Sequence, residues 1–166
     1  MNKKWPALIL LCFLCVIILV SITQQRRDVT IPDDVATLIE KYMNAYRRGT
    51  TESADYIHFE DEFKKSAYIT SADKLLDYKL ESTEKINDNL YALVVLVKTE
   101  HSTFYSGDVY NRVWNFAARI DGNWYYLNGV SNVPTELQDN LDKSKYTYND
   151  ENIVEPGDIV GAIEID

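Results

Sequence analysis

The first 27 residues most constrain what this chain can fold into, because they contain an uninterrupted apolar run. The run extends from Trp5 to Thr23 without a charged residue, with two lysines before it and two arginines after it. As a helix it measures about 28 Å, close to the roughly 30 Å of hydrocarbon in a bilayer. Residues 5–23 therefore predict a membrane span, and residues 1–27 a signal anchor with short flanks.

A basic start followed by an apolar run also describes a cleavable secretory signal peptide. Cleavage requires small residues at two nearby positions, and only Ser21 is small where the run ends. The sequence thus favours an anchor that stays attached, with cleavage as the alternative. A very short head before a long acidic segment favours an amino terminus inside the cell. We expect a single-pass protein of the cell membrane whose domain lies outside the cytoplasm.

Charge and cysteine content restrict the partners of the segment that follows the anchor. All 26 acidic residues come after the apolar run, and the formal net charge of the whole chain is −9. Such a surface repels nucleic-acid backbones and anionic lipid headgroups, so we expect no nucleic-acid partner. Both cysteines, Cys12 and Cys15, lie inside the apolar run, so the domain folds without disulfides.

Helical periodicity dominates the start of the domain. The apolar positions from Val35 to Tyr46 recur at helical spacing and form one face, and Gly49 after two arginines marks the end of the helix. The pattern also predicts a second, shorter helix from Thr51 to about Phe63. A third short helix is predicted at residues 134–141.

Strand patterns occupy the middle of the chain. Residues 76–86 alternate apolar and polar, whereas residues 90–97 are apolar throughout, which predicts a central strand covered on both faces. A long strand over residues 108–120 is followed by Asp121-Gly122, a strong signal for a two-residue hairpin, and by a return strand. Helices followed by an antiparallel meander predict an α+β domain.

This order of elements resembles the NTF2-like, or cystatin-like, fold. The resemblance rests on Tyr42-Met43-Asn44-Ala45-Tyr46 followed by Arg47-Arg48-Gly49, and on the strand pair from Asn111 to Tyr126 with its Asp-Gly-x-Trp turn. It covers residues 30–141, and membrane-anchored domains of this kind occur in Gram-positive bacteria. The resemblance implies helices packed on a curved antiparallel sheet. The Asp–His and Tyr–Asp pairs of the family's isomerases and dehydratases have no matching positions here.

The chain therefore divides into an anchor at residues 1–27, an NTF2-like α+β domain at residues 28–145, and an acidic extension at residues 146–166. The extension contains a Pro156-Gly157 turn between two apolar pairs. Its pattern is compatible with an added hairpin, a short helix or a loose tail.

The candidate site residues follow from the resemblance and from strand register. Arg112 is the only charge on the apolar side of the long strand, where it either meets an anion at the mouth of a cone-shaped pocket or pairs with a carboxylate near the rim. The candidate pocket residues are Tyr78, Tyr110, Arg112, Trp114 and Tyr126. His58 and Glu62 are spaced as a metal pair within the second predicted helix, but two ligands are too few for a site. We predict no catalytic residue, metal or cofactor.

Two functions of different classes are compatible with these features. The first is a membrane-tethered extracytoplasmic binding or assembly module, with a protein of the cell envelope as its partner. The second is a small-molecule pocket protein or enzyme of the NTF2-like type. An enclosed pocket with converging polar groups favours the second, and a filled cavity with a flat apolar patch favours the first.

Overall fold

The computed structural model describes residues 31–71, 73–100, 109–147 and 153–159. The predicted anchor, His101 and most of the acidic extension lie outside these ranges. Within the described residues, no helix has both the length and the apolar character needed to cross a membrane.

Helices come first in the chain, as the periodicity predicts. Helix α1 spans Asp33–Tyr46, and its buried face is the predicted one with Met43 added and with Tyr46 only partly buried. The main chain leaves the helix through Gly49, whose φ of 135° lies in the region that favours glycine. A short helix α2 (Thr50–Ser53), a 3-10 turn (Ala54–Tyr56) and helix α3 (Glu62–Thr70) follow.

The predicted second helix over residues 51–63 is wrong, because the chain becomes extended in its middle. Ile57 adopts an extended conformation and forms a parallel bridge with Tyr126. Asp61 then starts α3 as a capping residue, since its carboxylate accepts the backbone N–H of Lys64 at 2.8 Å. His58 therefore lies outside any helix, and its helical spacing to Glu62 is lost.

Five antiparallel strands form one curved sheet. They are β1 (Leu75–Asn87), β2 (Leu90–Thr99), β3 (Tyr110–Ile120), β4 (Asn123–Asn128) and β5 (Ile153–Val154). The order is β1-β2-β3-β4, and β5 pairs with the start of β3. Register shifts occur at three places between β1 and β2, which bends the long edge strand. The predicted hairpin at Asp121-Gly122 is confirmed, with φ of 51° and 84° at the two turn residues.

The sheet has two covered faces, which we call the helix face and the back face. On the helix face, α1 packs against side chains that include Tyr78, Leu93, Val95 and Tyr126. On the back face, Phe116 and Leu127 pack against Val133 and Tyr146 from the chain that follows β4. Strand β2 contributes buried residues to both faces, as its continuous apolar pattern predicts.

The chain after β4 covers the back face with 3-10 turns instead of a regular helix. The turns span Val130–Asn132, Thr135–Leu137, Lys143–Tyr146 and Pro156–Asp158. The predicted helix at residues 134–141 is thus reduced to one 3-10 turn. Tyr146 is 8% exposed and meets Phe116 edge to face, with ring centroids 5.2 Å apart. The described part of the extension contributes β5, whose Val154 packs against Leu96 and Tyr110.

Candidate functional site

A cavity of about 210 Å³ lies between α1 and the helix face of the sheet. Its apolar wall consists of Met43, Val97 and Val113. Its polar wall consists of Tyr42, Tyr46, Thr99, Asn115, Tyr126 and Asn128. None of these described lining residues carries a formal charge. We call this space the inner cavity.

Two stacked tyrosines form the floor of the inner cavity. The rings of Tyr42 and Tyr126 are nearly parallel, at 13°, with centroids 3.8 Å apart. Helical spacing places Tyr42 on the buried face of α1, and strand alternation places Tyr126 on the helix face of β4. The stack therefore fixes α1 against β4 beside the cavity.

Tyr126 has an incomplete set of hydrogen bonds although it is 1% exposed. Its hydroxyl oxygen accepts the side-chain N–H of Asn115 at 2.8 Å. No acceptor for its own hydroxyl proton is found in the described part of the chain. Because buried polar groups normally have partners, the free proton marks the place where a ligand acceptor fits.

A second set of hydrogen-bonded side chains connects α1 to α2 and α3 beside the cavity. Tyr42 donates to the side-chain oxygen of Asn128 at 3.3 Å, and its hydroxyl lies 3.3 Å from that of Tyr68. The Tyr68 hydroxyl is also 2.7 Å from the Ser53 hydroxyl. The two 3.3 Å contacts are at the long end of the normal range, so they are weaker than the contact to Ser53.

Burial keeps these phenols protonated. Removal from water raises the pKa of Tyr42, Tyr46 and Tyr126 far above the ordinary value of 10.0, and raises the pKa of Tyr68 as well. For Tyr126 the hydrogen bond from Asn115 opposes this rise, and burial outweighs it. At neutral pH the cavity therefore presents neutral hydroxyls, which act as hydrogen-bond donors and are poor general bases.

A second space of about 330 Å³ adjoins the inner cavity at Asn128, and both spaces are partly open to solvent. Its apolar lining residues are Ile57, Phe59, Phe63, Ala67 and Tyr68, and its polar ones are His58, Glu60, Lys64, Asn128 and Asn132. We call it the outer groove. Lys64 and Glu60 form an ion pair at its rim, and Phe63 is 80% exposed. Asn128 lines both spaces.

The structure does not bring the five candidate pocket residues together. Tyr126 lines the inner cavity. Tyr78 lies on the same face of the sheet but is part of the closed core, with the guanidinium of Arg47 5.3 Å from its ring centre. Tyr110 lies on the back face, where its hydroxyl donates to the carboxylate of Asp77.

Arg112 and Trp114 also lie on the back face, away from the inner cavity. Arg112 binds the carboxylate of Glu81 through two hydrogen bonds of 2.7 Å, from Nε and Nη2. This geometry corresponds to the carboxylate-pairing alternative given by the sequence. Trp114 is half-buried at the edge of the back-face core.

Sequence reasoning missed the polar residues that line the inner cavity. Asn115 and Asn128 look like ordinary strand and turn residues, and Tyr42 looks like part of a helical core stripe. One signal was present, since Asn115 is a polar residue between Val113 and Ala117 on its face of β3. No group of three potential metal ligands occurs among the described residues.

Comparisons with known proteins do not assign the chain to a family. No protein-family model, curated protein or solved structure matches the chain.

Proposed function

We propose that the chain is a membrane-tethered, extracytoplasmic binding domain of the NTF2-like type, and that it binds a small uncharged molecule in the inner cavity. The buried hydroxyl of Tyr126 carries this proposal, because its proton has no acceptor among the described residues and the tyrosine lines a cavity. A ligand oxygen placed there completes the hydrogen bonding of the tyrosine.

The chemistry of the walls selects the class of ligand. The phenols donate, and the side-chain oxygen of Asn115 is an acceptor with no partner among the described residues. No described lining residue carries a charge that could balance a carboxylate or an ammonium group, so burying an ion against these residues is costly. A neutral molecule that offers both an acceptor and a donor, such as an amide or an alcohol, can accept a hydrogen bond from a phenol and donate one to the side-chain oxygen of Asn115.

The location and family in this proposal have separate support. The tether is supported by the uncharged run from Trp5 to Thr23. The family is supported by the order of elements, in which helices precede an antiparallel sheet and a cavity lies between α1 and the sheet. None of the described residues that line the inner cavity is a base suited to catalysis near neutral pH, so we propose binding without chemistry there.

The assembly-module alternative has less support from the surface. Among the described residues, only two large apolar side chains are exposed, Phe63 and Leu76. They belong to different elements, α3 and β1. A protein interface of ordinary size normally presents a contiguous apolar patch.

Fluorine NMR titration with trifluoroacetamide tests the proposal, with trifluoroacetate as the charged analogue. The full chain in lipid nanodiscs is expected to bind the amide and not the carboxylate. The Tyr126→Phe variant is expected to bind the amide about tenfold more weakly, since one hydrogen bond is lost. Tyr125→Phe is the matched control, because Tyr125 is the adjacent tyrosine and packs on the back face. Equal binding by wild type and Tyr126→Phe contradicts the proposal.

A further inference from the structure

The inner cavity and the outer groove are neighbours separated by a few side chains. Asn128 lines both spaces, Tyr42 lines the cavity and Tyr68 lines the groove. The hydroxyl of Tyr42 contacts both Asn128 and Tyr68. These three side chains form a septum between the two spaces.

Asn128 is the weakly held member of the septum. Tyr42 is stacked on Tyr126, and the Tyr68 hydroxyl is 2.7 Å from that of Ser53. The Asn128 side chain has one contact of 3.3 Å, to Tyr42, and its N–H groups have no partner among the described residues. On the groove side, α3 buries none of its residues completely, and elements with little buried surface move at low free-energy cost. A ligand amide that replaces the Tyr42–Asn128 hydrogen bond would release the Asn128 side chain, which lines both spaces.

The volumes indicate why the two spaces belong together. Ligand pockets usually enclose about 300–1,000 Å³. The inner cavity alone falls below this range at about 210 Å³, the groove alone falls just inside it at about 330 Å³, and a ligand that extends from the cavity into the groove also fits within it.

The two spaces differ in chemistry. The inner cavity offers the Tyr126 proton and the Asn115 oxygen, which suit a polar head. The outer groove offers Ile57, Phe59 and Phe63, which suit an apolar tail. Phe63 is 80% exposed, so a tail lying against it removes apolar surface of both groups from water.

We propose that the ligand is an elongated neutral amphiphile, whose amide or hydroxyl head occupies the inner cavity and whose aromatic or aliphatic tail occupies the outer groove. This inference rests on the proposed function, because the head must first bind beside Tyr126. The tail adds affinity in proportion to the apolar area that it buries against α3.

Two probes that share one head test the inference. Trifluoroacetamide and its N-phenylbutyl derivative are titrated into the full chain in nanodiscs and followed by fluorine NMR, with empty nanodiscs to subtract partitioning into lipid. The wild type is expected to bind the derivative at least about tenfold more tightly than the short amide. Phe63→Ala removes one wall of the groove and Ala67→Trp fills it, so each is expected to reduce this gain to about threefold or less.

Leu76→Ala is the matched control, because it removes another exposed apolar side chain outside the groove. It is expected to keep the full gain. An equal gain in wild type, Phe63→Ala and Ala67→Trp overturns the inference, as does the absence of any gain in the wild type. If the short amide binds in a Tyr126-dependent way and the tail adds nothing, only the inference fails. If neither probe binds, the proposed function fails with it.

Discussion

The two faces of the sheet are built from the same strands and yet are packed differently. On the back face, Phe116 and Leu127 are fully buried against Val133 and Tyr146, and the one prominent charge, Arg112, is neutralised by Glu81. On the helix face, α1 stacks Tyr42 on Tyr126 and leaves a cavity with a neutral polar wall.

The difference indicates that the covering element decides how closely each face is packed. The 3-10 turns place Val133 and Tyr146 against the back face, whereas α1 leaves a space beside Tyr42 and Tyr126 on the helix face. The proposed ligand site lies on the helix face, and the following changes test that comparison.

Alkaline pH is expected to have the largest effect, because it acts on several phenols of the helix face together. Four phenols of the helix face, Tyr42, Tyr46, Tyr68 and Tyr126, have pKa values raised above the ordinary 10.0, against one phenol of the back face, Tyr146. Above about pH 10 the unfolded chain releases these protons while the folded chain keeps them, so stability falls as pH rises. Each phenol contributes a loss of about 1.4 kcal/mol per pH unit.

Denaturant unfolding between about pH 9 and pH 11 measures this slope, and phenolate absorbance reports the ionisation directly. Tyr42→Phe is expected to make the slope shallower by one phenol. A free energy of unfolding that stays constant across this range shows that the phenols ionise normally in the folded state, and the contrast between the faces is then lost.

Truncation of matched apolar residues is expected to have the next largest effect. Leu127→Ala leaves a sealed void in the back-face core and is expected to cost about 3–5 kcal/mol. Met43→Ala enlarges a cavity that already exists, so we expect a smaller loss of about 2 kcal/mol. Urea denaturation compares the two variants. A larger loss for Met43→Ala contradicts the looser packing of the helix face.

The stability of a Trp114 variant tests how far the edge of the back-face core is exposed to solvent. Because Trp114 is half-buried at the edge of that core, Trp114→Ala is expected to cost about 1–3 kcal/mol. Phe63→Ala provides a control on an exposed aromatic residue and is expected to change stability by less than about 0.5 kcal/mol. Thermal unfolding gives both values, and a Trp114→Ala loss as small as the control places the side chain in solvent.

Arg112→Met is expected to have the smallest effect. The methionine keeps most of the apolar stem, and the ion pair with Glu81 is partly exposed, so the loss is about 1 kcal/mol or less. Binding of trifluoroacetamide is expected to be unchanged, because Arg112 lies on the back face. Loss of amide binding in this variant indicates that the ligand site extends to the back face.

Local patterns in the sequence were sufficient to predict the main helix and the main strands. Helical spacing defined α1 and its buried face, the continuous apolar run defined β2 as an interior strand, and Asp121-Gly122 defined the hairpin. These features depend on neighbours within a few residues, so they are readable without the rest of the molecule. The helix over residues 51–63 was wrong, because a bridge from Ile57 to the distant Tyr126 overrides helical propensity.

The sequence by itself determined which residues of β3 share a face, since side chains alternate along a regular strand. It placed Tyr110, Arg112 and Trp114 on one face of β3 and Asn115 on the other. Only the tertiary structure decided which of these faces α1 covers, and therefore that the cavity belongs to Asn115 and Tyr126. That choice depends on long-range packing of α1 and of the chain after β4, which no local pattern contains.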